Sequence, residues 1–219
     1  KVTASTAFFS IAVGLSISIY MNFFVTRQVP NLQEFGAEML ANPIELGDFQ
    51  LTDHHGAAFN LKNLKGKWTF LYFGYMTCSD LCPTTMSAMS NTYDTLIKSE
   101  LGVDDLQFAF VSVDPHRDSL ENLKQYVAYF NPKFLGVTGS REELDKLNFY
   151  VGAKYGYEDI KTHKVVADVK ELTDDENYIV RHFGDLFVID PQASLVAYVY
   201  PYHEDRKLVA TYNKIRSYY

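Results

Sequence analysis

One stretch limits the possible folds more than any other. Trp68 to Tyr75 (WTFLYFGY) is a nearly unbroken apolar and aromatic run, and three residues later comes Cys78-Ser79-Asp80-Leu81-Cys82-Pro83. A run of that kind, without polar alternation, predicts a strand buried on both faces of a sheet. Pro83 suits the first turn of a helix, and Met86, Met89, Tyr93, Leu96 and Ile97 then fall on one helical stripe. Phe108 to Val113 (FAFVSV) is a second buried run, so strand, helix and strand form a unit with a right-handed crossover.

The flanking sequence extends this pattern. Phe49 to Phe59 reads as a strand pair turning at Asp53-His54-His55-Gly56. Asp118 with Glu121, and Ser140 with Glu143, have the spacing of helix capping boxes ahead of apolar periodic segments. Leu186 to Ile189 and Leu195 to Tyr200 flank Asp190-Pro191-Gln192-Ala193 as an antiparallel hairpin, and a last helix is expected from about Glu204 to Arg216. A central mixed sheet flanked by helices, with a cysteine pair just after its first long buried strand, is the layout of a thioredoxin-like α/β domain. That domain is expected over residues 44–219.

The N-terminal region has a different character. No charged side chain occurs from Val2 to Thr26, and fourteen of the nineteen residues from Ala7 to Val25 are apolar. Such a helix is about 28 Å long, close to the ~30 Å hydrocarbon thickness of a bilayer. Residues 1–27 are therefore expected to form a single transmembrane anchor, spanning at about 7–25. Residues 28–43, with Pro30, Gly36 and Pro43, are expected to link it to the domain. Lys1 and Arg27 flank the span about equally, so charge does not set its orientation.

Composition narrows function by exclusion. The net charge of −7 leaves no broad cationic surface for nucleic-acid phosphates. Two cysteines are too few for a disulfide-stapled scaffold or a four-cysteine zinc site. Four positions apart on a helical turn, Cys78 and Cys82 share one face and can converge on an ion or close a disulfide. The helix N-terminus is expected to lower the thiol pKa values, and soft sulfur donors favour Cu(I) over hard ions. The alternative is a pair of inert core thiols. A third ligand could be any of six histidines, His54, His55, His116, His163, His182 or His203, and spacing does not select among them.

Four segments together resemble the Sco family, membrane-anchored copper proteins that serve cytochrome c oxidase assembly. They are Gly66-Lys67-Trp68, the stretch from Phe73 through the cysteines to Pro83, Val111-Ser112-Val113-Asp114-Pro115-His116-Arg117-Asp118, and Tyr178-Ile179-Val180-Arg181-His182. The resemblance implies one copper ion held by Cys78, Cys82 and His182, with Asp80 and Asp114 as supporting rather than ligating groups. Two positions depart from the family pattern: Ser79 replaces a common proline, and Arg181 replaces an acid beside the histidine. A cation there is expected to oppose an imidazolium and shift copper affinity.

The function so implied is a metallochaperone rather than an enzyme. It would receive copper from an upstream donor protein and pass it to the dinuclear site on the copper-bearing subunit of cytochrome c oxidase. The implied location is the mitochondrial inner membrane, with the domain in the intermembrane space, or the bacterial inner membrane and periplasm. Alternatives are a thiol-disulfide reductase that prepares the acceptor cysteines, and a resident structural subunit of a respiratory complex.

Overall fold

The computed structural model describes residues 29–79, 81–99, 103–172, 177–200 and 205–219. The expected membrane span lies outside them. Among the described residues, no helix is long and apolar enough to cross a membrane.

Eight strands form the main sheet: β1 (Ala37–Glu45), β2 (Leu51–Asp53), β3 (Ala58–Phe59), β4 (Trp68–Gly74), β5 (Leu106–Ser112), β6 (Leu135–Thr138), β10 (Leu186–Ile189) and β11 (Ser194–Val199). Their order is β1-β11-β10-β4-β5-β6-β2-β3. Only β4–β5 and β5–β6 are parallel, so the sheet is mixed as expected. A second sheet of β7 (Tyr155–Asp159), β8 (Val165–Val166) and β9 (Tyr178–His182) has the order β8-β7-β9. The helices are α1 (Leu61–Leu64), α2 (Leu81–Lys98), α3 (Leu120–Phe130), α4 (Arg141–Val151) and α5 (Asp205–Tyr218).

Strand alternation sorts the aromatic run into two cores. Phe70 and Tyr72, with Phe108 and Phe110, face Met86 and Met89 of α2, Leu123 of α3 and Tyr212 of α5. Leu71 and Phe73, with Ala109 and Val111, face Leu144 and Leu147 of α4 and Tyr157, Tyr178 and Val180 of the small sheet. Every residue of β4 and β5 is buried, which is why neither run shows polar alternation. The layout is a thioredoxin-like α/β fold, with α2 leaving the C-terminal end of β4. Ile97, expected on the apolar stripe of α2, is 49% exposed at its last turn.

Three local expectations change. Residues 37–43 of the expected linker belong to β1, where Ala37 pairs with Val199 and Glu45 with Ser194 around a register shift. The hydrogen-bonding edge of β11 draws the segment into the sheet, and Pro43 is tolerated because β1 is an edge strand. The cap of α3 is Ser119, which accepts the Asn122 N–H at 3.3 Å, because the Asp118 carboxylate is engaged elsewhere. Ser140 caps α4 as expected, accepting the Glu143 N–H at 3.4 Å. The Glu143 carboxylate, however, accepts the Gln50 N–H instead of closing the box.

Candidate metal centre

The chain turns out of β4 at Gly74 and closes a turn through the Cys78 N–H to the Tyr75 carbonyl, 3.3 Å. It then enters α2, so Cys78 lies in the loop and Cys82 in the first helical turn. Cys78 is half-buried and Cys82 fully buried. The Cys82 N–H, one of the helix's four unpaired donors, points at Cys78 Sγ from 3.5 Å. Gly74 is required here, because a Cβ at that position would sit 2.8 Å from both Cys82 Sγ and the Phe110 ring.

His182 arrives from the small sheet, at the last residue of β9, one hundred positions along the chain from Cys82. Its Nε2 lies 3.5 Å from Cys82 Sγ and its Nδ1 3.2 Å from the Phe183 carbonyl. A carbonyl only accepts, so Nδ1 carries the ring proton and Nε2 presents its lone pair to the sulfur. The loop behind His182 passes tightly over the start of α2, where a Cβ on Gly184 would meet Leu81 Cδ2 at 2.6 Å. The Tyr75 ring packs perpendicular to the imidazole, with centroids 5.5 Å apart.

The donor atoms of Cys78, Cys82 and His182 all lie within 4.8 Å of one another, and no other such group occurs among the described residues. The remaining histidines are accounted for separately. His54 Nδ1 accepts the Gly136 N–H at 2.9 Å and its ring contacts His55. His163 pairs with Glu158 at 3.0 Å, His116 is exposed, and His203 lies outside the described residues.

Electrostatics correct one expectation. The hydrogen bond with Cys78, and then burial, push the Cys82 thiol well above its ordinary pKa, so the helix end does not keep this sulfur ionised. Burial, reinforced by the two thiols, raises the Tyr75 phenol to about 12, and burial raises Tyr72 as well. Both phenols stay protonated beside the sulfurs. Arg181 also differs from expectation: alternation turns it to the face of β9 opposite His182, where its Nε pairs with Glu158. Its charge is therefore engaged away from the imidazole. Asp114 is fully buried between Arg117 and Tyr178 and is no ligand, while Asp80 lies outside the described residues.

Sequence reasoning overlooked Gly74 and assigned Asp118 to a helix cap. A glycine ending a buried strand just before a reactive pair was a readable sign of close approach. Nothing in the capping pattern marked the bonds that Asp118 makes to Met76 and Ser112 instead.

Known proteins resemble the chain in sequence and in fold. The SCO1/SenC family model matches residues 37–218. The human mitochondrial SCO1 homolog is 30% identical over 85% of this chain, which spans 58% of that protein's length. A SCO2-like protein of Rickettsia conorii is 31% identical over 70% of this chain and 68% of its own. Yeast Sco1 with copper bound superposes with a TM-score of 0.67 at 28% identity, covering 81% of this chain and 91% of that one. Arabidopsis thaliana ScoI with copper bound gives 0.66 at 31%, covering 78% and 98%. With the cysteine loop, the histidine strand and the main sheet all inside the matched stretch, the chain belongs to the SCO1/SenC family.

Proposed function

We propose that this chain is a membrane-anchored copper carrier that delivers one copper ion to the dinuclear copper site of cytochrome c oxidase. The convergence of Cys78, Cys82 and His182 Nε2 within 4.8 Å is the observation that carries the reading. Two sulfurs and one neutral imidazole are a soft, low-coordinate donor set suited to copper. The copper-bound relatives support the same cargo. Zinc in a structural site takes four ligands, and three converge among the described residues.

Binding through both sulfurs would replace the thiol protons of Cys78 and Cys82 by the metal, and both protons would leave to solvent. The two sulfurs and Nε2 already face one point. The fixed Nδ1–H keeps the ring from turning away. Three donors leave room for an incoming acceptor thiolate to bind before a resident ligand departs, so copper passes without being freed. An anchor at residues 7–25 would keep donor and acceptor in one membrane plane and raise their effective concentration. The proposed setting is the mitochondrial intermembrane space or the bacterial periplasm, with an upstream protein supplying the copper.

Copper titration of the full chain in detergent, read by X-ray absorption, tests this. Two sulfurs and one nitrogen are expected, with the nitrogen lost and affinity reduced in His182→Ala. An unchanged spectrum and affinity in that variant would overturn the assignment.

One observation favours a second reading, a thiol-disulfide reductase acting on the acceptor cysteines. Cys78 is half-exposed while Cys82 is buried behind it, the arrangement of an attacking and a resolving thiol. Acceptor maturation that survives His182→Ala but not Cys78→Ala would select the reductase. Failure of both variants would select metal transfer.

A further inference from the structure

The two halves of the site come from different sheets, and something must fix their separation. The turn Asp114–Asp118 at the end of β5 touches both. It is closed by the Asp118 N–H to the Asp114 carbonyl, 2.9 Å, which holds the two carboxylates in one rigid unit. Asp118 Oδ2 accepts the Met76 N–H at 3.0 Å and the Ser112 hydroxyl at 2.6 Å, tying the cysteine loop down two residues before Cys78. Ser112 Oγ in turn accepts the Asp114 N–H at 3.2 Å.

The other side of the turn faces the histidine strand. Asp114 Oδ1 accepts the Tyr178 hydroxyl at 2.5 Å, and Asp114 Oδ2 accepts Arg117 Nε–H at 2.6 Å. Arg117 Nη1 donates to the Tyr178 carbonyl at 3.0 Å, and the guanidinium lies over the Tyr178 ring, 3.7 Å from its centroid. Tyr178 opens the five-residue strand that ends in His182. A parallel tie runs from the Tyr157 hydroxyl on β7 to the Val113 carbonyl at 2.6 Å, and the Val113 N–H bonds the Gly74 carbonyl.

We propose that Asp114, Arg117 and Asp118 are the positioning residues of the metal centre: Asp118 sets the cysteine loop, Asp114 and Arg117 set the histidine strand, and their shared turn fixes thiols and imidazole relative to each other. This rests on the copper-carrier reading for its metal measurements. It also makes a claim about the apo dithiol that stands without copper. Asp118 and Asp114 are buried with their bonds inside the protein, so a lost bond is not replaced by solvent.

The test uses the full chain, five single variants and one double variant. Tyr178→Phe keeps the ring and its stacking but deletes the bond to Asp114. Copper affinity should fall about tenfold, the low end for loss of an outer partner of a metal ligand, and should not fall further when Tyr178→Phe is added to His182→Ala. Asp118→Ala releases the cysteine loop, so the Cys78–Cys82 dithiol/disulfide equilibrium should shift about tenfold, or ~30 mV. Asp118→Asn retains an acceptor for Met76 and Ser112 and should restore it, while Tyr178→Phe should leave it unchanged. Ser112→Ala, which removes one bond from Asp118, replaces Asp118→Ala if that variant does not fold.

An equal copper loss from Tyr178→Phe with and without His182 would overturn the proposal. So would an unshifted potential in a folded Asp118→Ala or Ser112→Ala variant. If the wild-type chain binds no copper, the carrier reading falls, and the potential still decides the role of Asp118.

Discussion

The cysteine side of the centre is built into the core, whereas the histidine side is an arm laid over it. Cys82 is fully buried, abuts Gly74 and Phe110, and sits in the first turn of an eighteen-residue helix. His182 ends a short strand of a three-stranded sheet, between the exposed Arg181 and Phe183, the latter 60% accessible. The two sulfurs are thus set in the core, and the imidazole proposed as the third ligand is held on the more accessible side of the site. For a carrier this asymmetry sets an order: the metal would be gripped by sulfur and released first from nitrogen.

The three proposed ligands give the largest test of that asymmetry. Cys82→Ser should weaken copper binding by more than the ~10–100-fold that loss of an outer partner costs, and His182→Ala should cost less than Cys82→Ser. Equilibrium competition with a copper chelator measures both, and a reversed order would break the distinction between core and arm.

Gly74→Ala probes the rigid side without touching a ligand. Its Cβ would force apart Cys82 Sγ and the Phe110 ring, each 2.8 Å away. Urea unfolding should report a loss of about 1–3 kcal/mol, together with weaker copper binding. No comparable penalty is expected at Gly152, which has open space around its Cβ position but a left-handed φ of 74°, so alanine there costs only local strain.

Asp118 offers a pH test. Burial raises its carboxyl to about 6, aided by Asp114, while the Ser112 and Met76 bonds and Arg117 oppose the shift. The unfolded group titrates near 4, so the native state binds the extra proton between these values. Stability from this group is therefore complete below about pH 4 and falls as pH rises through 6. A shift of that size corresponds to about 3 kcal/mol. Asp118→Asn should remove this slope, so its stability relative to wild type should improve by about that amount between pH 4 and pH 7 in denaturant titrations. A parallel pair of pH curves would count against a buried titrating Asp118.

The smallest effect is expected on the outer face of the arm. Glu158 pairs with Arg181 and His163, which hold its carboxyl down to about 2. Its partners are exposed, and such pairs contribute little. Glu158→Gln should therefore change copper affinity by less than about twofold. A large change would mean that the pair orients β9 after all.

Legibility in the sequence followed the same division. The strands β4, β5, β10 and β11 were readable because burial on both faces writes an unbroken apolar run, and the Ser140 cap announced α4. The arm was not readable. Tyr155–Asp159 (YGYED) carries a glycine and two acids and becomes a strand only by pairing with β8 and β9. β1 was hidden for a related reason: after its first three residues nearly all of its side chains are exposed, and it contains Pro43. Within the site, spacing identified both cysteines. His182 stood out from five other histidines only through family resemblance, since one hundred residues separate it from Cys82. The double use of the Asp114–Asp118 turn was invisible because its bonds reach to Met76 and Tyr178, far apart in sequence.

The incorporation of Ala37–Glu45 into the main sheet has a practical result for anyone shortening the protein. Beginning a fragment at Pro43, the expected end of the linker, strips most of the β1 pairing from β11 and leaves a long apolar ladder open on one side. Unprotected ladders of this kind recruit other chains. A truncated domain made that way should self-associate more than one that keeps Leu32, 1% exposed and packed with Leu208 and Tyr212 of α5, and everything after it.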